Sequence, residues 1–425
     1  MENAVEKTIS DSLFKNSKAL LGKATDLSPS YVEAMKNAQE IFQTKGIPTK
    51  KNEDWIYTNI GPHLSPRFYE LKESIVHDVP SSVLDKRGMI IFNNGIFNKF
   101  LSHLPEGMEL DTVTPENDFF DTFDSLNFAT SLAPLAFKIK KNTVVDFPVT
   151  IVHQVDDVGV NKIVSPRLKI TAEENTNIRF MEIFESTNRD LFQYTTNAVT
   201  KFILRPNAIV EHVKIQNEAL NATHVGLTNA EVDRDAKFKS VTVDIGLLVA
   251  RHNINVNLNA TGAESTVHGL FSLKKTEHTD VFSIIHHNAA HTLSDQLFKG
   301  ILSGDSHGAF TGKIIIKQDA QQSASAQLNK NLLLSKKAHI DTRPQLLVHA
   351  DDVKCAHGAT VGQLSKDEEF YLESRGIPKE RARKLLCFGF ATDALNKIED
   401  ETIKKAAIKI VMDNLDQAGL GEMTI

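Results

Sequence analysis

The sequence is poor in the residues and segments that define several large classes of protein. Its 425 residues include only two cysteines, Cys355 and Cys387, which are too few for a disulfide framework or a four-cysteine cluster site within one chain. Apolar runs such as 314–316 are far shorter than the roughly 20 residues that span a bilayer. The first residues include no apolar segment, so we expect no signal peptide and a reducing cytoplasm as the compartment.

An excess of positive charge and the common nucleotide-binding motifs are also missing. The formal net charge is −6, so no strongly basic surface attracts a phosphate backbone, and nucleic acid is not expected as the main partner. Neither a Gly-x-x-x-x-Gly-Lys-Ser/Thr loop nor a Gly-x-Gly-x-x-Gly fingerprint occurs. We therefore expect neither ATP hydrolysis nor NAD binding through these motifs. The composition, 41% hydrophobic and 24% charged, predicts an ordinary folded protein.

The first part of the chain, residues 1–84, predicts a helical N-terminal domain. Ser28 and Pro29 form a good helix start, because serine caps free N–H groups and proline suits the first turn. Gly46 should end this helix. Trp55, the only tryptophan, follows, and we expect it to anchor the helical segment on the rest of the protein.

Residues 85–364 show a period of two instead. Apolar and polar residues alternate in several runs, which indicates β-strands. No long amphipathic helix separates these strands, so a doubly wound α/β sheet is not expected. An antiparallel sandwich would favour tight hairpins, yet Asn94-Gly95 is the only Asn-Gly or Asp-Gly pair in the chain. The clearest alternating runs are 145–153, 209–215, 237–245 and 252–258.

A weak repeat of strand, turn and strand accompanies this alternation. Each unit is too thin to bury its own apolar face and must stack on its neighbours, as in a β-solenoid. We find no six-residue register of the kind that left-handed β-helices use, so the sequence predicts a right-handed parallel β-helix core. The repeat is marked by alanines, several about 28 residues apart, at Ala208, Ala236, Ala263, Ala290, Ala309 and Ala338.

Residues 365–425 predict a helical C-terminal domain. Ser365 and Glu368 form a capping box, and Pro378 opens a second helix. We expect solvated helices that dock on the body of the protein, with a partner-binding platform as the alternative. The inner face of the second helix is predicted to carry Ala382, Leu385, Leu386 and Phe390, and that of the third Ile403, Ala407, Ile410, Val411 and Leu415.

The most unusual segment precedes these helices. In an extended strand, Asp351, Val353, Cys355 and His357 project to one face. Thiolate and imidazole are ligands that iron, iron–sulfur clusters and zinc accept. Two such ligands do not complete a site, so the others would come from elsewhere in this chain or from another subunit. A buried cysteine beside a hydrogen-bonded histidine is the structural alternative, and a Cys–His nucleophile pair is disfavoured because no oxyanion-hole motif accompanies it.

The other candidate metal ligands are less specific. His286, His287 and His291 lie close together in the sequence and offer three imidazoles. Polar positions at the edges of solenoid coils are the simpler interpretation of these histidines. Cys387 lies in a predicted helix among leucine and phenylalanine, and we expect it in the core.

Three segments resemble the SufB/SufD family of iron–sulfur cluster assembly proteins. Residues 351–362, Asp-Asp-Val-Lys-Cys-Ala-His-Gly-Ala-Thr-Val-Gly, followed by residues 370–377, are similar to the C-terminal signature of that family. Residues 327–335 resemble the segment before this signature, and residues 51–58 resemble an N-terminal motif. The His-Gly-Ala-Thr sequence at 357–360 and the scarcity of cysteine resemble the SufD-type members of this family more than the SufB-type members.

The resemblance implies a helical N-terminal domain, a right-handed parallel β-helix core and a helical C-terminal domain. It also implies a complex with a SufB-type paralogue and two copies of a SufC-type ABC ATPase, each of which docks on the C-terminal helical region of the SufB-type or the SufD-type subunit. His357 corresponds to a histidine assigned to the nascent-cluster site at the SufB–SufD interface, and Cys355 to a nearby cysteine. The iron–sulfur cluster would be transient and shared with the partner. A flavin is associated with such complexes, but no residue here is identified as its ligand.

Three classes of function follow from these patterns. The prediction is a non-catalytic scaffold subunit whose cluster ligands are shared across an interface. The alternative is a homo-oligomeric β-helix interaction protein without a metal role, and open solenoid edges favour a homodimer of the isolated chain. A β-helix enzyme acting on polysaccharide is disfavoured, because neither a secretion signal nor a row of acidic and basic residues typical of a substrate cleft is evident.

Overall fold

The protein is mainly β and is built around a parallel β-solenoid with helices at both ends, which confirms the predicted fold class. The computed structural model describes residues 2–21, 27–64, 78–190 and 192–417. The helices are α1 (Glu2–Leu21), α2 (Pro29–Lys45), α3 (Thr122–Thr130), α4 (Lys366–Ser374), α5 (Lys379–Leu395) and α6 (Glu401–Gln417). The strands are β1 (Met89–Asn93), β2 (Ile96–Phe97), β3 (Met108–Asp111), β4 (Leu135–Ile139), β5 (Val149–Val155), β6 (Ile163–Val164), β7 (Arg167–Ala172), β8 (Asn177–Ser186), β9 (Thr195–Leu204), β10 (Ile209–Asn217), β11 (Thr223–Val232), β12 (Lys237–Ile245), β13 (Val249–Leu258), β14 (Glu264–Leu273), β15 (His278–His287), β16 (Leu293–Leu302), β17 (His307–Ile316), β18 (Ser323–Leu333), β19 (His339–Val348) and β20 (Val353–Gly362).

The strands form two sheets that enclose the core. The first sheet has the order β2-β1-β5-β8-β10-β12-β14-β16-β18-β20, and the second has the order β19-β17-β15-β13-β11-β9-β7-β4-β3, with β6 beside β9. From β8 onward, consecutive strands alternate between the sheets, so two strands make one coil. Parallel neighbours require a crossover, and here the strand of the opposite sheet provides it. Residues near in space are therefore about one coil apart in sequence.

Aromatic side chains fill one half of the solenoid interior. Phe180, Phe202 and Phe238 are fully buried, and their ring centroids lie 6.1 Å and 5.3 Å apart in succession. Alternation along each strand sends these residues inward and their neighbours outward. The period of two in the sequence therefore arises because alternate residues point into the closed interior of the solenoid, not towards one face of an open sheet.

The structure confirms the predicted alanine repeat for three of its six members. Ala208, Ala236 and Ala263 are fully buried directly before β10, β12 and β14, as predicted. In the next coil the same position is held by Thr292, since β16 begins at Leu293. The other three alanines do not continue this column. Ala290 lies two residues before that position, whereas Ala309 and Ala338 belong to the second sheet or its turn.

The N-terminal helices dock on the outside of the second sheet. Ser28 caps α2 by accepting a hydrogen bond from the Tyr31 N–H, as the sequence predicts. Trp55 is 5% exposed, and its ring lies 5.3 Å from that of Phe123 in α3. The guanidinium of Arg251, on β13, lies 4.7 Å from the Trp55 ring. Trp55 therefore joins the helical segment to the solenoid, as expected.

The C-terminal helices cover the outer face of the first sheet. Buried residues of α5 and α6, including Ala391 and Ala407, form one cluster with Val213 and Val243 of the sheet. Ser365 caps α4 by accepting from the Glu368 N–H. The predicted inner face of α5 was wrong at Leu385, which is 37% exposed.

Lys384 is buried in place of Leu385. It is 0% exposed and forms an ion pair with Asp416 of α6. Small side chains such as Ala391 and Ala394 let α5 pack closely against its neighbours. The buried face of α5 is therefore the one that carries these alanines, and the larger apolar side chain of Leu385 lies outside it.

One buried histidine allows a test of pH dependence. Burial lowers the pKa of His287 to about 4, so between about pH 6.5 and pH 4 the unfolded chain holds a proton there that the folded chain lacks. Protonation of His287 therefore favours the unfolded chain, and the free energy of unfolding falls by about 3 kcal/mol as the pH is lowered from neutral through this range. Buried Asp121 and Asp244, with pKa values raised to about 6, act in the opposite direction. The test must therefore isolate His287.

We expect His287→Gln to weaken this acid destabilisation. Glutamine can hydrogen-bond to Thr292 and Ser294, the present partners of His287, but does not titrate. Urea unfolding at pH 7 and pH 4.5 should show a smaller loss of unfolding free energy in the variant than in the wild type. Equal losses in both proteins would contradict the assignment.

Candidate functional site

The last coil leaves the end of the solenoid open. Among the described residues, β18 is the only strand paired with β20, and β17 is the only strand paired with β19. Most residues of β20 are exposed. Each of the two strands thus presents a free edge of backbone N–H and C=O groups, which is able to pair with another chain.

Cys355 and His357 face the interior side of this open end. Cys355 is in register with Ser325 and His357 with Gln327, and both partners are buried inside the solenoid. Residues in register on neighbouring parallel strands point to the same face. Cys355 is half-buried and His357 is exposed, because no further coil covers them within the described chain. Asp351, predicted on the same face, lies in the turn before β20.

Cys355 is free and sits against apolar side chains. It packs against the buried cluster formed by Ile314, Ile316, Ala320 and Ala350. Burial raises the pKa of the Cys355 thiol, and a backbone hydrogen bond from Ser325 opposes this only in part. The thiol is protonated at neutral pH, and binding of a metal would release that proton.

A polar column continues from these two residues into the solenoid. Gln327 donates to Gln296 (2.7 Å), and Gln296 donates to Ser283 (3.0 Å). Beside them, the hydroxyls of Ser325 and Ser294 are 2.7 Å apart, and His287 Nε2 lies 2.9 Å from the Ser294 hydroxyl. Half of the interior is therefore polar beneath Cys355 and His357.

Charged residues extend this polar half towards the other end of the solenoid. His153 and His212 contact the two carboxylate oxygens of Glu182 at 2.9 Å and 2.8 Å. Burial alone would raise the pKa of Glu182, but these hydrogen bonds hold it well below its ordinary value. A second buried pair joins Glu218 to His224 at 2.7 Å.

Sequence reasoning missed this interior network. Its only signal was the presence of charged residues at inward positions of alternating strands.

The remaining predicted ligands do not come together. His287 is buried and bonded to Thr292 and Ser294, His286 occupies the neighbouring position on β15, and His291 lies exposed in the following turn. Cys387 is fully buried in α5, and burial raises its pKa to about 12, so it belongs to the core as predicted.

The described residues do contain one group of three metal-ligating side chains, formed by His307, His339 and Asp341. The first two are 32 positions apart in sequence, and only the coil register brings them together.

The sequence is similar to known proteins over most of its length. Residues 154–390 match the family described as SUF system FeS cluster assembly, SufBD core domain. A SufBD family iron–sulfur cluster assembly protein of Synechocystis is 29% identical over 398 residues, which cover 86% of this chain and 87% of the relative. The iron–sulfur cluster assembly protein SufD of Escherichia coli is 28% identical over 388 residues, covering 88% and 91%. None of the described helices is long and apolar enough to cross a membrane.

Proposed function

Because the chain belongs to the SufBD family of SUF-system iron–sulfur cluster assembly proteins, we propose that it is a non-catalytic scaffold subunit whose open solenoid end forms half of a cluster assembly site. The observation that carries the proposal is the pair Cys355 and His357, side by side on a free edge strand and facing the open end. A thiol and an imidazole at that place are accessible to a bound cluster and to a second protein.

The ligand count favours a site shared between two chains. His357 is the better candidate, because it is exposed and its ring can reach a cluster held by a partner. Cys355, half-buried against the apolar cluster that includes Ile314, is the second. Iron–sulfur clusters of the common types need four protein ligands, and Cys387 is buried in the C-terminal helices. A SufB-type paralogue would supply the missing thiolates.

The surface around the pair suits a protein partner. Leu347, Val348 and Val361 of the last coil are 43%, 40% and 49% exposed, and they adjoin the two free strand edges. An apolar rim beside unpaired backbone groups is a surface on which a second solenoid can continue both sheets. In the absence of that paralogue, the same end would favour a homodimer.

The C-terminal helices offer a separate surface for a SufC-type ABC ATPase. On α4, Phe370 is 72% exposed and Tyr371 is 56% exposed. Leu385 of α5 adds to these exposed apolar side chains. Aromatic residues of this kind are enriched at protein interfaces. The free thiols of both cysteines fit a reducing cytoplasm, where we place the protein.

Co-expression with the SufB-type and SufC-type proteins of the same organism tests the proposal. Native mass spectrometry should show one copy of this chain with one SufB-type subunit and two ATPase subunits. Phe370→Asp should remove the ATPase bound to this chain, because it places a carboxylate in the proposed interface, and leave the pairing with the paralogue intact.

The matched control for this experiment is Phe100→Asp. Phe100 is 85% exposed and lies after β2, away from the C-terminal helices, so its replacement should leave the complex complete. An ATPase that remains bound to the Phe370→Asp chain would move the docking surface elsewhere. A chain that purifies alone or only as a homodimer would favour the homo-oligomeric interaction protein.

A further inference from the structure

Three histidines form a ladder on the outer face of the second sheet. His278, His307 and His339 are the first residues of β15, β17 and β19, and the strand register places them side by side. Their ring centroids are 4.6 Å and 5.2 Å apart in succession. The ladder ends at the last coil, where His339 is exposed.

Asp341 completes a cluster at the open end of the ladder. It follows His339 by two residues, so alternation along β19 directs both side chains to the outer face. Its Oδ2 atom lies 2.8 Å from Nε2 of His307 and 3.4 Å from Nε2 of His339. These three possible ligand atoms all lie within 4.8 Å of one another.

We propose that His307, His339 and Asp341 bind a divalent transition-metal ion of the zinc class. Two imidazoles and one carboxylate are a ligand set that zinc and non-haem iron accept with positions left open for water. Ligand atoms this close need only small side-chain shifts to surround an ion. On binding, each imidazole carries its proton on Nδ1, and the Nε2 lone pairs and the carboxylate turn to the metal.

His278 supports the site without serving as a ligand. Its Nε2 contacts the Thr58 hydroxyl at 2.8 Å, and its Nδ1 contacts the His307 carbonyl oxygen at 3.0 Å. Both ring nitrogens are therefore occupied, and the ring packs against that of His307. These contacts hold His307 and the start of β17 in position, as hydrogen-bonded neighbours of the ligands do at metal sites.

The cluster is distinct from the Cys355–His357 pair. His339 and Asp341 lie at the start of β19 with their side chains on the outer face of the second sheet, whereas Cys355 and His357 lie on β20 of the first sheet and face the interior side of the open end. The ligand side chains are accessible, since His307 and Asp341 are 31% and 30% exposed and His339 is 67% exposed. The proposal stands independently of the cluster assembly function.

Zinc titration of the purified, untagged full chain tests this site. The parent protein carries Cys355→Ser and His357→Ala, so that the other candidate ligands are removed. Calorimetry with Zn²⁺ should show one equivalent bound, and Co²⁺ should give the visible absorption of a nitrogen- and oxygen-ligated ion. His339→Ala and Asp341→Asn should each weaken Zn²⁺ binding by more than about 100-fold, because even loss of an outer neighbour costs 10- to 100-fold.

The matched control is His103→Ala, which removes another exposed histidine and should leave the titration unchanged. Circular dichroism establishes that each variant is folded. Absence of stoichiometric binding in the parent would overturn the proposal. Equal binding by the parent, His339→Ala and Asp341→Asn would overturn it as well, since the ion would then bind adventitiously.

Discussion

Replacement of His357 with alanine is expected to abolish iron–sulfur cluster formation by the assembled complex, while the complex itself still forms. The side chain is exposed on the last strand, so its removal leaves no cavity in the core. What is lost is the imidazole ligand that this chain would contribute to the shared cluster. Because a cluster that lacks one ligand is held less firmly and is open to displacement by solvent, we expect the yield to fall to background.

Anaerobic reconstitution of the co-purified complex measures this effect through iron and sulfide content and charge-transfer absorption. His103→Ala, at another exposed histidine, should give the wild-type yield. His357→Cys should retain part of the yield, since thiolate is also a cluster ligand. A wild-type cluster yield in the alanine variant would refute the ligand assignment, and failure of the complex to assemble would show that His357 has a role in the interface instead.

Arg251→Ala is expected to have the largest effect on stability. Arg251 is 1% exposed, donates from Nη1 to Asp280 at 2.6 Å, and lies between the Trp55 and Phe282 rings at 4.7 Å and 4.9 Å. Its loss leaves the buried Asp280 carboxylate without its cation. Removing one member of a buried ion pair costs about 3–5 kcal/mol.

Trp55 makes this prediction directly measurable. It is the only tryptophan, so its emission reports how the N-terminal segment is docked on the solenoid. Urea unfolding followed at this emission should shift to markedly lower denaturant in Arg251→Ala. The matched control is Arg87→Ala, which breaks the exposed pair with Asp85 and should leave the transition unchanged. An unchanged transition in Arg251→Ala would mean that Asp280 is stabilised by its other donor, Thr58, alone.

Local sequence patterns were sufficient to predict much of the fold. The Ser28 and Ser365 caps each concern a few neighbouring residues, and both appear in the structure as predicted. The period of two identified strands because a closed interior imposes it along each strand. The inner face of α5 was less accurate at Leu385, since which side of a helix is buried depends on the surface it meets.

The candidate cluster site was accessible from sequence for a related reason. Cys355 and His357 are two residues apart on one strand, so their common face follows from strand geometry alone. Their position at an open end and their alignment with Ser325 and Gln327 required the register between β18 and β20.

The sequence by itself therefore determined what depends on neighbours along the chain: strands, helix caps and the shared face of Cys355 and His357. Tertiary structure alone decided what depends on stacking between coils. The buried Glu182 network joins residues 29 and 30 positions apart, and the His307–Asp341 contact spans 34 positions. Turns of unequal length set how successive coils align, and a shift of one residue would send each of these side chains to the opposite face. Such contacts can therefore be identified only from a structure in which the conformation of every turn is known.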